Sequence, residues 1–150
     1  MPTFREGRTR VRITGFQCHH LIPLEVCSMA SFSRFFLRMR AFGFVPNDFE
    51  ANGMHLPSSE KLAEIFRLPL HRGPHPIYNS MVAERLAQIE MLGDAESCMQ
   101  LRLFVLGLRR GLRIQDQQCR SQRREPLLTT TDMRRLDSDA DFLFRITKSS

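Results

Sequence analysis

Apolar and polar residues follow two different periods along this chain, and each period predicts a different secondary structure. Over residues 8–16, charged and apolar side chains alternate around Val11 and Ile13, which predicts a short strand with one solvent-facing side. Residues 18–24 are apolar apart from two histidines and contain Pro23, so we expect a strand that leads into a turn.

Most of the remaining chain carries apolar residues three and four positions apart, which is the period of an amphipathic helix. We expect helices at about 25–42 (ending at Gly43), at 59–66 (capped by Ser58 or Ser59), at 76–93 (with Pro76 first) and at 94–113 (capped by Asp94). The first helix should bury the face formed by Val26, Met29, Phe32, Phe36, Met39 and Phe42. Residues 51–57 predict a turn that leads into a short strand.

The C-terminal third is less regular. Residues 115–125 are polar and rich in arginine, and they fit either a longer helix or a loop. A short helix is expected from Asp132, and the apolar run at 142–146 predicts a strand. At 150 residues the chain is long enough for one domain with a hydrophobic core, and two independent domains are not expected.

The chain is basic, and its basic residues are almost all arginine. The formal net charge is +6, and only Lys61 and Lys148 among the 22 basic residues are lysine. The planar guanidinium group binds two phosphate oxygens at once, so an arginine-rich domain favours a polyanionic partner such as nucleic acid. No run approaches the roughly 18 apolar residues of a membrane-spanning helix, so no membrane partner is expected.

Four of the five histidines form two close pairs, His19–His20 and His71–His75. Neighbouring residues on a strand point to opposite faces, so one histidine of the first pair can face a metal ion while the other faces a substrate. His71 and His75, four residues apart at the start of a predicted helix, can converge on the same ion if the turn at Gly73 and Pro74 brings them together. Three neutral imidazoles with an open coordination position suit Zn²⁺ or another first-row divalent ion. A further histidine can take a proton from water at neutral pH.

Two non-catalytic interpretations of this pattern stay open. Histidines are most often surface residues or hydrogen-bonded polar residues, and an HxxxH pair alone does not define a metal site. A structural zinc site could instead combine Cys18 with His19, His71 and His75. The four cysteines show no CxxC spacing, so we otherwise expect reduced thiols that are mostly buried.

Three segments, taken in order, resemble a known nuclease family. They are CHHLIPLE at 18–25, NGMHLP at 52–57 and HRGPHPIYN at 71–79. Together they are similar to the AHH group of the HNH/endonuclease VII superfamily, which is named for an Ala-His-His motif and is found largely in bacterial polymorphic toxins. Cys18 stands in the position of that alanine. The resemblance covers roughly residues 15–92, and residues 94–150 lie outside it.

The resemblance implies an α+β fold, in which a ββα-metal (HNH) core is embedded in a mostly helical single domain. On this basis residues 1–150 form one nuclease domain. Its motif core lies at about 15–92, and a C-terminal helical and strand extension follows at 94–150.

The resemblance also implies a role for each histidine. His19 binds one divalent metal ion (Zn, Ni, Mg or Mn) together with His71 and His75, and His20 is the general base that activates the attacking water. In related groups some of the later histidines take part in water activation instead, so the division of labour between them stays open. His55 is either structural or near the substrate.

Other residues of the motif receive roles in the same way. Asn52 matches the middle Asn of the HNH motif, whose side chain links the loop between the two strands and so keeps His20 in position. Arg72, inside the third segment, is the candidate phosphate-binding residue. Tyr78 is expected to pack, and Asn79 to orient a ligand histidine.

The implied function is metal-dependent hydrolysis of phosphodiester bonds in DNA, with RNA as an alternative substrate. The family context implies the toxin domain of an interbacterial effector, with a cognate immunity protein as partner. Such a protein is made in the bacterial cytoplasm, secreted as part of a larger protein, and active in the cytoplasm of the target cell. The residues expected to flank the substrate are Arg8, Arg10, Arg12, Arg109, Arg110 and Arg113.

Two other classes of function remain as alternatives. A non-catalytic nucleic-acid-binding module stabilised by zinc would also be basic and rich in histidine, but it would need no additional histidine beside the ligands. A protein–protein interaction module would use the apolar helix surface at 99–108.

Overall fold

The computed structural model describes residues 13–122 and 134–148. Its elements, in chain order, are β1 (Phe16–His20), α1 (Leu24–Cys27), α2 (Ser33–Ala41), α3 (Phe49–Asn52), β2 (Gly53–Pro57), α4 (Glu60–Phe66), α5 (Pro76–Ile89), α6 (Asp94–Gln122) and α7 (Leu136–Ile146). The fold is α+β and mostly helical, as predicted, and the described residues form one two-stranded sheet. None of the helices described is both long and apolar enough to cross a membrane.

The two strands pair antiparallel, although a connection of three short helices separates them along the chain. The register places His19 opposite Met54 and His20 opposite Gly53. A Cβ atom at Gly53 would overlap the ring of Phe49. The start of β2 therefore requires a glycine, because the helical turn α3 packs directly against it.

The strand predicted at 8–16 lies only partly within the described residues, and the prediction is wrong for residues 13–15. Residues 8–12 lie outside the described part of the chain, and a turn at Thr14 and Gly15 precedes the strand, which begins at Phe16. Gly15 has a φ of 84°, a left-handed conformation that glycine adopts without strain. The strand expected at 18–24 ends at His20, and Pro23 directly precedes α1, in agreement with the predicted turn.

The prediction of one helix at 25–42 is wrong, because α1 and α2 are separate helices. The Ser28 hydroxyl donates to the Glu25 carbonyl at 3.1 Å, a local bond of the kind that competes with continued helix. Val26, Phe32, Phe36 and Met39 are buried as expected, whereas Met29 and Phe42 are exposed. Gly43, with a φ of 90°, follows the end of α2, as predicted.

The later helices begin where the sequence predicts. The Ser59 side chain accepts a hydrogen bond from the Leu62 amide at the start of α4, and Pro76 is the first residue of α5. The fifth helix ends at Ile89, a few residues earlier than expected. The sixth helix begins at Asp94 and continues to Gln122, so most of the polar stretch at 115–125 is helical.

The strand predicted at 142–146 is wrong, since α7 covers these residues. Its buried residues recur at helical spacing, for example Leu136, Ala140 and Leu143. This helix packs against α5 and α6, so the short apolar run is the buried part of an amphipathic helix. The expected helix start at Asp132 lies outside the described residues.

The hydrophobic core forms between the loop that follows β1, helix α2 and the three helices α5, α6 and α7. Leu21 and Ile22 of that loop are fully buried, as are Tyr78 and Leu86 of α5 and Leu101 of α6. This packing fixes the C-terminal end of β1 against the first half of α5. The four paired histidines lie at this junction.

Candidate metal centre and substrate cleft

His19, His71 and His75 lie together between β1 and the start of α5. The potential ligand atoms of these three side chains all lie within 4.8 Å of one another. The ring centroids are 4.9 Å apart for His19 and His71, 5.3 Å for His19 and His75, and 5.4 Å for His71 and His75. The structure thus brings together the three residues that the sequence predicts as metal ligands.

Backbone structure places His71 and His75 beside the two strands. The His71 amide donates to the Pro57 carbonyl at 2.8 Å, which holds this residue beside the end of β2. Gly73 has a φ of 76°, so the chain turns between the two histidines. His75 then directly precedes Pro76, the first residue of α5.

Hydrogen bonds to amide oxygens orient the rings of the two later histidines. Nδ1 of His71 donates to Oε1 of Gln17 at 2.8 Å, and Nδ1 of His75 donates to Oδ1 of Asn79 at 2.8 Å. An amide oxygen can only accept, so each Nδ1 carries a proton, and in the neutral ring Nε2 then keeps its lone pair. Asn79 in turn donates from Nδ2 to the Glu25 carboxylate. Metal-binding histidines typically have such partners behind them.

The cluster fits a metal ion, because two of its nitrogen atoms are otherwise unsatisfied. Nε2 of His19 and Nε2 of His71 are buried without a hydrogen-bond partner among the described residues, and such atoms cost free energy. Burial lowers the pKa of His19 well below its usual value, and burial together with His75 lowers the pKa of His71 to about 4. Both rings are therefore neutral at pH 7, which is the form that binds divalent cations.

Tyr78 encloses this cluster from the side of α5. The residue is fully buried, and its hydroxyl donates to the Leu21 carbonyl at 2.6 Å. Its ring lies 5.4 Å from that of His19 and 5.7 Å from that of His75. Burial raises the pKa of Tyr78, so the side chain packs, as expected, and stays protonated.

His20 lies on the opposite face of β1 and borders an open cleft. The cleft has a volume of about 760 Å³, and its lining includes Phe16, Cys18, Leu24 and Phe49. The His20 ring packs edge-on against Phe49, with 6.1 Å between the centroids. His20 is thus next to His19 in the chain but lies outside the cluster of potential ligands.

Asn52 fixes the backbone directly after the two adjacent histidines. The residue is fully buried. Its Oδ1 accepts from the Ile22 amide at 2.8 Å, and its Nδ2 donates to the carbonyls of Ile22 at 2.9 Å and Pro46 at 3.0 Å. Its own carbonyl accepts from the Leu21 amide at 2.8 Å. Asn52 is therefore a positioning residue that holds the end of β1, and its side chain is not accessible to a substrate.

Comparison with known proteins agrees with this geometry. The chain matches AHH, a nuclease family of the HNH/ENDO VII superfamily with conserved AHH, over residues 4–103, about two thirds of its length. The chain belongs to this nuclease family. Comparisons with curated proteins and with solved structures gave no match. The matched region contains both strands and all five histidines, so the resemblance seen in the sequence is confirmed.

In this AHH nuclease Cys18 does not take part in the histidine cluster. It lies on the same face of β1 as His20, and its Sγ is 3.7 Å from Nε2 of His55. The His55 ring packs against Phe49, with 4.9 Å between the centroids. The alternative of a zinc site that combines Cys18 with the three clustered histidines is therefore wrong, because strand alternation points Cys18 away from them. Its thiol is exposed, whereas those of Cys27 and Cys98 are buried.

The arginines expected to bind phosphate lie at several places around the nuclease. Arg72 is exposed and donates from Nη2 to the Ser58 carbonyl at 3.2 Å. Arg109 on α6 donates from Nη2 to the carbonyl of Gly53 at 3.2 Å, and Gly53 is the residue opposite His20. Arg110 and Arg113 are exposed on the same helix. The arginines at positions 8, 10 and 12 lie outside the described residues.

Sequence reasoning missed the contribution of α7 to the histidine cluster. Oδ1 of Asp137 accepts a hydrogen bond from the Tyr78 amide in the first turn of α5, at 2.8 Å. The Leu70 amide donates to the Arg134 carbonyl at 2.8 Å, one residue before His71. The segment at 134–137 therefore holds the chain on both sides of the turn that carries His71 and His75. These residues lie beyond the matched region, and no local sequence pattern links them to the site.

Proposed function

We propose that this AHH nuclease is a metal-dependent endonuclease that hydrolyses phosphodiester bonds of DNA. In this proposal His19, His71 and His75 hold one divalent ion, and His20 is the general base. The observation that carries it is the different placement of two neighbouring histidines: His19 is enclosed by the other potential ligands, whereas His20 borders an open cleft. A purely structural metal site does not need His20, whereas hydrolysis needs a general base such as His20.

The chemistry divides between the two faces of the hairpin. When bound, the divalent ion supplies positive charge that stabilises the scissile phosphate and the leaving oxygen. His20 takes a proton from the attacking water, and Asn52 keeps the backbone next to it in place. Arg72 and Arg109 are our candidates for contacts with flanking phosphates. The expected products carry a 5′-phosphate and a 3′-hydroxyl.

Plasmid cleavage tests this proposal. Protein stripped of metal with a chelator is incubated with supercoiled DNA after addition of Mg²⁺, Mn²⁺, Ni²⁺ or Zn²⁺. We expect nicking with at least one of these ions, and we expect His20→Ala to lower the rate by about 10²–10⁴-fold. The variant should retain its affinity for the ion in isothermal titration calorimetry. His55→Ala is the matched control, because His55 is the other histidine on this face, and its rate should fall by less than about tenfold.

Each part of the proposal can fail separately. Equal rates for His20→Ala and the native protein would exclude His20 as the base. Equal rates with and without chelator would exclude a role for the ion. Tight binding of DNA without cleavage of DNA or RNA, whichever ion is added, would leave the zinc-stabilised binding module. Faster cleavage of RNA than of DNA would change the substrate but not the chemistry.

We also propose, from the resemblance to the AHH group, that the chain is the toxin domain of an interbacterial effector. A cognate immunity protein would then be its partner, and the cytoplasm of the target bacterium its place of action. Controlled expression in a bacterium tests this role. Expression of the native chain should stop growth and fragment the chromosome, whereas expression of His20→Ala at an equal level should do neither.

A further inference from the structure

The cleft beside His20 is large and has an apolar wall, and phosphodiester hydrolysis alone requires neither feature. Its volume of about 760 Å³ lies within the range of sites that bind small organic groups, roughly 300–1,000 Å³. Ile13, Phe16, Leu24 and Phe49 form most of its apolar wall. Ile13 and Leu24 are 47% and 38% exposed, so apolar surface faces the solvent directly beside the proposed general base.

The described lining of the cleft suits an uncharged group. None of the described residues that line it is Lys, Arg, Asp or Glu. Arg109 lies nearby, but it donates to the Gly53 carbonyl and is not among the described residues that line the cleft. A nucleic acid strand that passes His20 presents a base as well as a phosphate at each nucleotide. The apolar wall that the described residues form matches the base rather than the phosphate.

We propose that this cleft binds an unstacked base of single-stranded nucleic acid, next to the phosphate that is cut. The inference rests on the proposed function, because it takes His20 as the point of cleavage. In a duplex the bases are stacked and paired inside, so only a single or locally opened strand can insert a base. Phe16 offers aromatic surface, and Thr14 and Asn47 bring a hydroxyl and an amide group to the cleft for the polar edge of the base.

Binding without cleavage tests this directly. Metal-free protein in chelator is titrated against three fluorescein-labelled probes of equal length, and fluorescence anisotropy is measured. The probes are a single-stranded oligodeoxynucleotide, its duplex, and an abasic chain that carries the same number of phosphates. We expect the single strand to bind at least about fivefold more tightly than the abasic chain, a factor typical of one base stacked on a protein, and more tightly than the duplex.

A matched pair of variants connects the effect to the cleft. Leu24→Ser should remove most of the advantage of the single strand over the abasic chain while binding of the abasic chain stays the same. Leu37→Ser is the control, because Leu37 is 68% exposed on α2 and does not line the cleft. Circular dichroism verifies that both variants are folded. Equal binding of the single strand and the abasic chain, or an undiminished advantage in Leu24→Ser, would overturn the proposal.

Hydrolysis of bis(4-nitrophenyl) phosphate, a diester without a base, separates this inference from the proposed function. Metal-dependent hydrolysis of this diester without any preference for the single strand would overturn the base-binding cleft and leave the nuclease chemistry intact. A clear preference for the single strand with no hydrolysis of any diester would support the cleft and contradict the role of His20 in catalysis.

Discussion

The two faces of the β1–β2 hairpin present neighbouring residues of one short strand to opposite environments. On the closed face, His19 is 3% exposed and lies among His71, His75 and Tyr78. On the open face, His20 borders a cleft large enough for an organic group. Strand alternation alone produces this separation, because successive side chains point to opposite sides. The closed face lowers the pKa of His19 and of His71 and so keeps these two imidazoles neutral, whereas the open face leaves room for a substrate.

Replacing His19 and His20 by alanine, one at a time, should give the largest difference in metal affinity between the two faces. His19→Ala removes one of three potential ligands and should lower the affinity for Zn²⁺ or Ni²⁺ at least about a hundredfold. Loss of a residue that only orients a ligand typically costs roughly 10–100-fold in metal affinity, and loss of a ligand itself should cost at least as much as the upper end of that range. His20→Ala should change the affinity less than about tenfold. Isothermal titration calorimetry on both proteins makes the comparison, and an equal loss in the two would show that the faces are not separate.

The second prediction concerns Asn52, on which both faces depend. Asn52→Leu removes the partners of three backbone groups of Ile22 and Pro46. At roughly 1 kcal/mol for each unsatisfied group, the free energy of unfolding should fall by about 3 kcal/mol in urea denaturation. Ser80→Leu, at an exposed position on α5, is the control and should stay within about 0.5 kcal/mol. A similar small change in both variants would mean that Asn52 does not hold the end of β1.

The third prediction contrasts Asn79 behind the closed face with Cys18 on the open face. Asn79→Ala removes the acceptor that orients His75, so metal affinity should fall by about 10–100-fold. Cys18→Ala should leave metal affinity within about threefold, because Cys18 contacts His55 and not the cluster. Calorimetry or a Co²⁺ absorption spectrum measures both. A large loss in Cys18→Ala would restore the zinc site that includes the cysteine.

Acid should destabilise the closed face of the metal-free protein. The pKa of His71 is lowered to about 4 and that of His19 is also lowered, whereas an unfolded histidine titrates near 6.5. Below pH 6.5 the unfolded state takes up protons that the folded state does not bind. The free energy of unfolding is therefore highest above pH 6.5. It falls as the pH decreases towards 4, by about 1–2 kcal/mol with allowance for solvent screening.

Urea midpoints measured across this range test the pH dependence. The decrease should be smaller in His71→Gln, which removes one of the two shifted groups. It should be unchanged in Ser80→Leu, because this exposed position on α5 carries no titratable group. A midpoint that does not change between pH 7 and pH 4 would mean that the cluster takes up protons as readily as an unfolded chain.

Two features of the paired histidines could be predicted from the sequence because local rules determine them. Alternation on a strand separates His19 from His20, and Gly73 with Pro76 produces the turn before α5. The break between α1 and α2 was not predicted, because the apolar spacing of one continuous helix runs on through residues 28–32, which connect the two helices. The helical state of residues 142–146 was also missed, since a short apolar run fits a strand or a buried helix equally well until its packing partner is known.

The contact between Asp137 and α5 lies beyond any local rule, because it joins residues 59 positions apart. Removal of this contact should have the smallest effect of the changes proposed. Asp137→Ala leaves the Tyr78 amide without its acceptor and removes a negative charge from a helix N-terminus, so unfolding free energy should fall by about 1 kcal/mol. Metal affinity should fall several-fold, because the first turn of α5 follows His75 directly. Asp141→Ala, at an exposed position on α7, is the control in both measurements. If Asp137→Ala lowers the free energy of unfolding but leaves metal affinity unchanged, α7 stabilises the fold without positioning the closed face. If the variant lowers both the free energy of unfolding and the metal affinity, the geometry of the histidine ligands depends on a segment outside the matched family region.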